Sequence, residues 1–153
     1  MSTTASNAGQ SKVGGRTDHG PAERMGLRAG DLVQQLGELD GIDQAIVDDI
    51  VAVTGEEFVG SESDDIVDVV LLWFREGDGD LVDTLVDARR QLEDSGAIWL
   101  LTPKATREGH VEAADILESV ATAGLAETST VSLGTDWNGV KLTAPKGPRN
   151  QRR

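Results

Sequence analysis

Apolar residues recur along this chain at two alternating spacings, and their order predicts an architecture. Leu32, Val33 and Leu36 mark a short strand that ends at Gly37. Ile42, Ala45, Ile46 and Ile50, widened by Val47 and Val53, follow at helical spacing, with Gly55 as the stop. Asp43 is the expected N-cap of that helix, and Asp40 is the alternative. Glu57 to Val59 reads as a short strand or a turn. From Ile66 to Phe74 the chain is almost continuously apolar, as a central strand covered on both faces requires. A turn at residues 75–80 leads to an amphipathic helix through Leu81, Val82, Leu85, Ala88 and Leu92, started by Asp80 and closed at Ser95-Gly96.

Ala97 to Leu101 is a second buried strand, and Pro103 and Gly109 break the loop from Thr102 to His110. Glu112 to Ala123 is a further helix, with Ala113, Ile116, Leu117 and Val120 inward and Gly124 as stop. Thr128 to Leu133 and Gly139 to Thr143 form a closing hairpin that turns through Gly134 to Asn138, with Asn138-Gly139 as its signal. Strands alternating with helices predict an α/β domain: a minimal Rossmann-like, mostly parallel sheet, helices on both faces, and an antiparallel C-terminal hairpin. Residues 1–24, rich in Ser, Thr, Gly and Asn, read as a disordered arm, residues 25–145 as the single domain, and residues 146–153 as a flexible tail.

Composition narrows the chemistry. The chain has no cysteine, which removes disulfides, thiol catalysis and cysteine-ligated metal. No apolar run could span a bilayer and no leader is visible, so the expectation is a cytoplasmic protein with no membrane contact. The net charge of −13 lies in one stretch: residues 31–95 hold 19 acidic and 3 basic side chains, net −16. Such a field repels phosphate, so nucleic acid is not an expected partner. It reads as a solvated face that maintains solubility, or as a docking surface for a protein with a basic surface. Asp64 and Asp65 lie within it. Trp137, on the expected turn, either packs back against the sheet or stands out as an aromatic anchor for that partner.

Gly37-Glu38-Leu39-Asp40-Gly41, directly after the first strand, is the only segment with the outline of a cofactor loop. With Leu27 to Val33 ahead of it, and with Asp68 to Trp73, Leu81 to Leu92, Gly96 to Pro103 and the final hairpin, it resembles class I S-adenosylmethionine-dependent methyltransferases over about residues 25–145. At closer range, Asp65 to Trp73, Trp99 to Lys104 and Thr122 to Leu125 are similar to a small actinobacterial family of unknown function. The methyltransferase likeness implies an acidic residue at the strand end followed by three alternating glycines. Here Gln35 takes the acidic place, Gly37 and Gly41 match, and Leu39 replaces the middle glycine. Leu39 is expected to close the loop sterically, and Glu38 and Asp40 to repel the cofactor's carboxylate. The chain is also about one βα unit short of that family. The resemblance therefore implies a degenerate scaffold with no cofactor.

In such sheets ligands gather beyond the carboxyl ends of the strands. The loops there, 37–43, 75–80 and 102–111, carry Glu38, Asp40, Arg75, Asp78, Lys104, Arg107 and His110, and Gly37, Glu38, Asp78, Lys104 and His110 form the candidate cleft. Glu76, Asp78 and Asp80 alternate like a calcium loop, but Leu81 stands where such a loop needs glycine, so turn and capping roles fit better. His19 and His110 have no ligand spacing for zinc. No nucleophile elbow or phosphate loop is present, and no catalytic, cofactor or metal residue is assigned. The expected function is a non-catalytic interaction or regulatory protein with an acidic partner-binding surface; the alternative is an enzyme or small-molecule sensor using the strand-end cleft.

Overall fold

The computed structural model describes residues 20–60 and 64–145. Most of the expected arm, and the whole of the expected tail, lie outside the described residues. Residues ahead of Met25, where composition placed the start of the domain, already belong to it: α1 (Pro21–Arg24) is helical and Ala22 is fully buried. The amide of Ala22 donates to Asp49 Oδ2 at 2.8 Å, which ties α1 to the next helix.

The elements then run β1 (Val33–Gly37), α2 (Gln44–Thr54), β2 (Val67–Trp73), α3 (Leu81–Ala88), β3 (Leu92–Pro103), α4 (Ala113–Thr122), β4 (Ala126–Leu133) and β5 (Trp137–Thr143). They build a mixed α/β domain around one five-stranded sheet ordered β1-β2-β3-β5-β4. β1, β2 and β3 pair in parallel, while β5 is antiparallel to both β3 and β4. Four of the five strands thus share one direction. Side chains alternate across the pleat, so β2 serves two cores. Val70 and Leu72 meet α3 and α4 through Leu85, Ile116 and Val120. Val69, Leu71 and Trp73 meet α1 and α2 through Ala22, Ile46 and Ile50.

Two helix starts follow the capping chemistry read from the chain. Asp43 Oδ1 accepts from the Ala45 amide at 3.0 Å, and Asp80 Oδ1 accepts from the Val82 amide at 2.9 Å. Asp43→Ala and Asp80→Ala are each expected to cost about 1 kcal/mol in urea unfolding, whereas Asp40→Ala should stay within about 0.5 kcal/mol. An equal loss at Asp40 would contradict this assignment.

Three boundaries differ from expectation. α3 stops at Ala88 instead of Leu92, and Leu92 to Gly96 belongs to β3. The Val67 amide bonds Gln91 O at 2.8 Å, and between Val67 and Val69 the partner in β3 jumps from Leu92 to Ala97. Backbone pairing with β2 thus overrides the helical spacing of Leu92. Gly96 ends no helix; a Cβ there would sit 2.6 Å from Asp68 O, so glycine is needed for close strand approach. Thr102 and Pro103 extend β3 instead of opening the loop. Finally, Trp137 and Asn138 lie in β5, and the hairpin turns through Gly134, Thr135 and Asp136. Gly139 faces Trp99, whose ring leaves little space for a Cβ (3.2 Å). The Asn138-Gly139 signal is therefore a packing feature and not a turn.

Among the described residues no helix is long and apolar enough to cross a membrane.

Candidate functional site

Val59 forms a parallel bridge with Gln34 on the outer flank of β1, and its amide donates to Val33 O at 2.8 Å. The segment Glu57 to Val59 is thus reduced to one bridge. After it the chain returns to pair β2 on the inner flank of β1. Progress through the sheet reverses at this point, and the crevice between the carboxyl ends of β1 and β2 is the topological switch point where α/β ligands collect.

A cavity of about 200 Å³ occupies that crevice, lined by Gly37, Glu38, Trp73, Phe74, Asp78 and Thr84. Gly37 has φ +103°, and a Cβ there would lie 2.1 Å from Trp73 O. Its glycine character serves the approach of two strand ends, with no ligand required. Asp78 folds its own turn: Oδ2 accepts from the Arg75 amide at 2.9 Å. Among the described residues no group of three acidic or histidine side chains is arranged to hold a metal ion.

Leu39 does not close the loop. It is 44% exposed and does not line the switch-point cavity, which overturns the steric expectation. Arg75 occupies the loop instead. Its Nη2 donates to Asp40 O at 2.9 Å and lies 3.3 Å from where a Gly41 Cβ would stand. Its guanidinium sits 5.1 Å over the Trp137 ring, a cation–π geometry. Gly109 backs onto the Arg75 stem, where a Cβ would come within 3.0 Å. Trp137 in turn meets Trp73 edge to face, centroids 4.8 Å apart and planes at 83°. Trp73 Nε1 donates to Gln35 Oε1 at 2.8 Å. The residue at the expected acidic position of the methyltransferase pattern is therefore a structural acceptor for a tryptophan.

The structure divides the candidate cleft. Gly37, Glu38 and Asp78 line the switch-point cavity. Lys104 Nζ is tied to Gly134 O at 3.1 Å, and its amide to Asp136 O at 2.8 Å, so it braces the hairpin turn. Arg107 Nε meets Asp136 Oδ1 at 2.8 Å on the surface beside it. His110 Nδ1 lies 3.0 Å from Pro103 O, and the ring faces a different groove, between α4 and the β4–β5 hairpin. Lys104 and His110 do not share a site.

The expected interaction residues are also separated. Trp137 is 4% exposed, so it packs against the sheet and cannot serve as an exposed anchor. Asp64 and Asp65 are exposed ahead of β2, at the amino end of the strands. Trp137 starts β5 opposite Pro103, at the carboxyl end of β3. Sequence reasoning had Arg75 among the loop residues but missed its role. The only signal was its place directly after a buried strand, where a long side chain must cross the strand ends.

Comparison with known proteins agrees with this frame. Among solved structures, a SAM-dependent methyltransferase from Aquifex aeolicus superposes with TM-score 0.57 at 15% identity, covering 80% of this chain and 88% of that one. The O-methyltransferase NcsB1 from neocarzinostatin biosynthesis gives 0.50 at 12% identity, covering 76% of this chain and 49% of that one. At such identities the likeness is one of fold. Uncharacterized proteins of Mycobacterium tuberculosis and Mycobacterium bovis are 43% identical over 131 residues, 86% of this chain and 82% of theirs. Residues 22–146 match the family described as "Protein of unknown function (DUF3052)". The chain therefore belongs to the DUF3052 family, a family of unknown function, and its fold is like that of S-adenosylmethionine-dependent methyltransferases.

Proposed function

We propose that this protein is a non-catalytic interaction or regulatory protein that keeps the methyltransferase frame without its cofactor crevice. One observation carries the reading: the switch-point cavity is small and acidic, and Arg75, the one basic side chain on its two loops, is already engaged. Its volume of about 200 Å³ lies below the roughly 300–1,000 Å³ of small-molecule sites. Glu38, Asp40, Glu76, Asp78 and Asp80 are all exposed around it on the first two loops. Within residues 37–43 and 74–80 Arg75 is the single basic side chain, and it is held by Asp40 O and Trp137. The residues present do not fit an adenosyl cofactor: its methionine carboxylate would meet carboxylates and find no free cation. Opposite charge is what such a rim attracts, so the partner would be a protein with a basic surface.

Calorimetric titration with S-adenosylmethionine, paired with thermal unfolding, tests the reading. No saturable heat is expected up to millimolar cofactor, and Tm should move by less than about 1 °C. A ligand at a hundredfold its Kd would add about 2.7 kcal/mol and move Tm by several degrees. Micromolar uptake would overturn the proposal. The partner half is tested by affinity capture from native extract with wild type and the triple variant Glu38→Lys, Asp40→Lys, Glu76→Lys. A partner that salt removes, and that the variant fails to retain, supports it; identical capture by both proteins would refute it.

A further inference from the structure

A second cavity, larger than the strand-end crevice, has no role in that proposal. α4 packs against the sheet through Ile116 and Val120, which share a core with Ile98, Leu100, Val140 and Leu142, and beside it stands the β4–β5 hairpin. The groove left between them is about 520 Å³. Its floor is apolar: Val111, Ile116 and Val140 are 3%, 6% and 7% exposed. Leu117, 55% exposed, forms its lip. An apolar floor of this size with a few convergent polar groups has the character of a small-molecule site.

The polar groups select the ligand. Thr102 lines the groove at 3% exposure, and its hydroxyl makes no hydrogen bond to any described residue. A buried hydroxyl is ordinarily paired, so this one lacks a partner that a ligand could supply. His110 also lines the groove, and its Nδ1 is engaged with Pro103 O at 3.0 Å. A carbonyl can only accept, so Nδ1 is the donor of this bond. Glu112 and Glu127 stand at the rim, and no lysine or arginine lines the groove. Thr130, Ser132 and Asn138 add neutral polar groups on the hairpin side, so the carboxylates supply the groove's negative charge beside an apolar floor.

We infer that this groove binds a small amphipathic amine: an apolar body on Val111, Ile116 and Val140, with an ammonium group directed to Thr102 and the rim carboxylates. The site is independent of the strand-end reading, since it shares no lining residue with that crevice.

The test is a ¹⁵N NMR titration of the full chain with phenethylamine, against phenethyl alcohol and 3-phenylpropanoate. Saturable shifts are expected at the amides of Thr102, Val111, Ile116 and Val140. The amine should bind about tenfold more tightly than the alcohol, and the carboxylate more weakly than either. Glu112→Gln with Glu127→Gln should remove most of the amine's advantage over the alcohol. Thr102→Val replaces the lone hydroxyl by a methyl group of similar size. It should weaken the amine about fivefold while leaving Tm unchanged or raised, an outcome that damaged folding would not produce. Four results would overturn the inference: no saturable shift up to 10 mM amine, equal binding of the carboxylate, shifts confined to residues outside the groove, or sedimentation showing the groove covered by a second copy.

Discussion

Gly37→Ala is expected to destabilise this protein by about 3–5 kcal/mol, among the largest effects of any single methyl addition. Two costs combine there. At φ +103° a Cβ is strained whatever surrounds it. The same Cβ would also fall 2.1 Å from Trp73 O, in the parallel register that sets Gly37 beside Trp73. Neither strand can withdraw without breaking its ladder. Gly55→Ala isolates the first cost, because Gly55 has φ +75° and nothing within 4 Å of its Cβ position. That variant should lose only about 1–2 kcal/mol. Urea unfolding of both variants measures the difference, and equal losses would disprove the close approach. The consequence reaches function: a glycine that the methyltransferase likeness aligns with a cofactor loop has a full structural explanation without one.

Trp73→Ala should cost about 3–5 kcal/mol by cavity formation, and it should also loosen the strand-end loops. Trp73 is fully buried, contacts Trp137 edge to face, and donates to Gln35. Trp137 in turn carries Arg75, whose guanidinium holds the first loop at Asp40 O. Removing the first ring therefore withdraws support from Trp137, Arg75 and residues 37–41 in sequence. Trp73→Phe retains a ring and frees Gln35, which is half-buried and regains water, so about 1–2 kcal/mol is expected. Near-ultraviolet circular dichroism separates the contributions. Trp73→Phe and Trp137→Phe should each abolish the same coupled-ring signal, whereas the third tryptophan, Trp99, should contribute independently. Persistence of that signal in either variant would rule out the pairing.

Much of the frame was legible in the order of residues. β2 reads from the unbroken run Val67 to Trp73, because only a strand covered on both faces needs apolar side chains at every position. α2 reads from its spacing, its Asp43 cap and Gly55, which adopts the left-handed conformation at φ +75°. The departures from the methyltransferase loop pattern, Gln35 and the carboxylates at 38 and 40, are read from the sequence directly. The placement of Leu39 was not legible there. Leu39 was expected inside and lies outside, because loop side chains face wherever the remaining fold leaves room.

Local sequence determined which segments become strands or helices, since periodicity, capping groups and glycines act within a few residues. It also determined the charge of the loops at the strand ends. Tertiary structure alone decided that Arg75, Trp137, Trp73 and Gln35 form one stack, because their contacts span up to 64 positions along the chain, from Trp73 to Trp137. It alone separated His110 from Lys104, and Asp64 and Asp65 from Trp137. Which side chains share a cavity depends on strand order and register, and those are settled by the packing of the whole sheet between its helices.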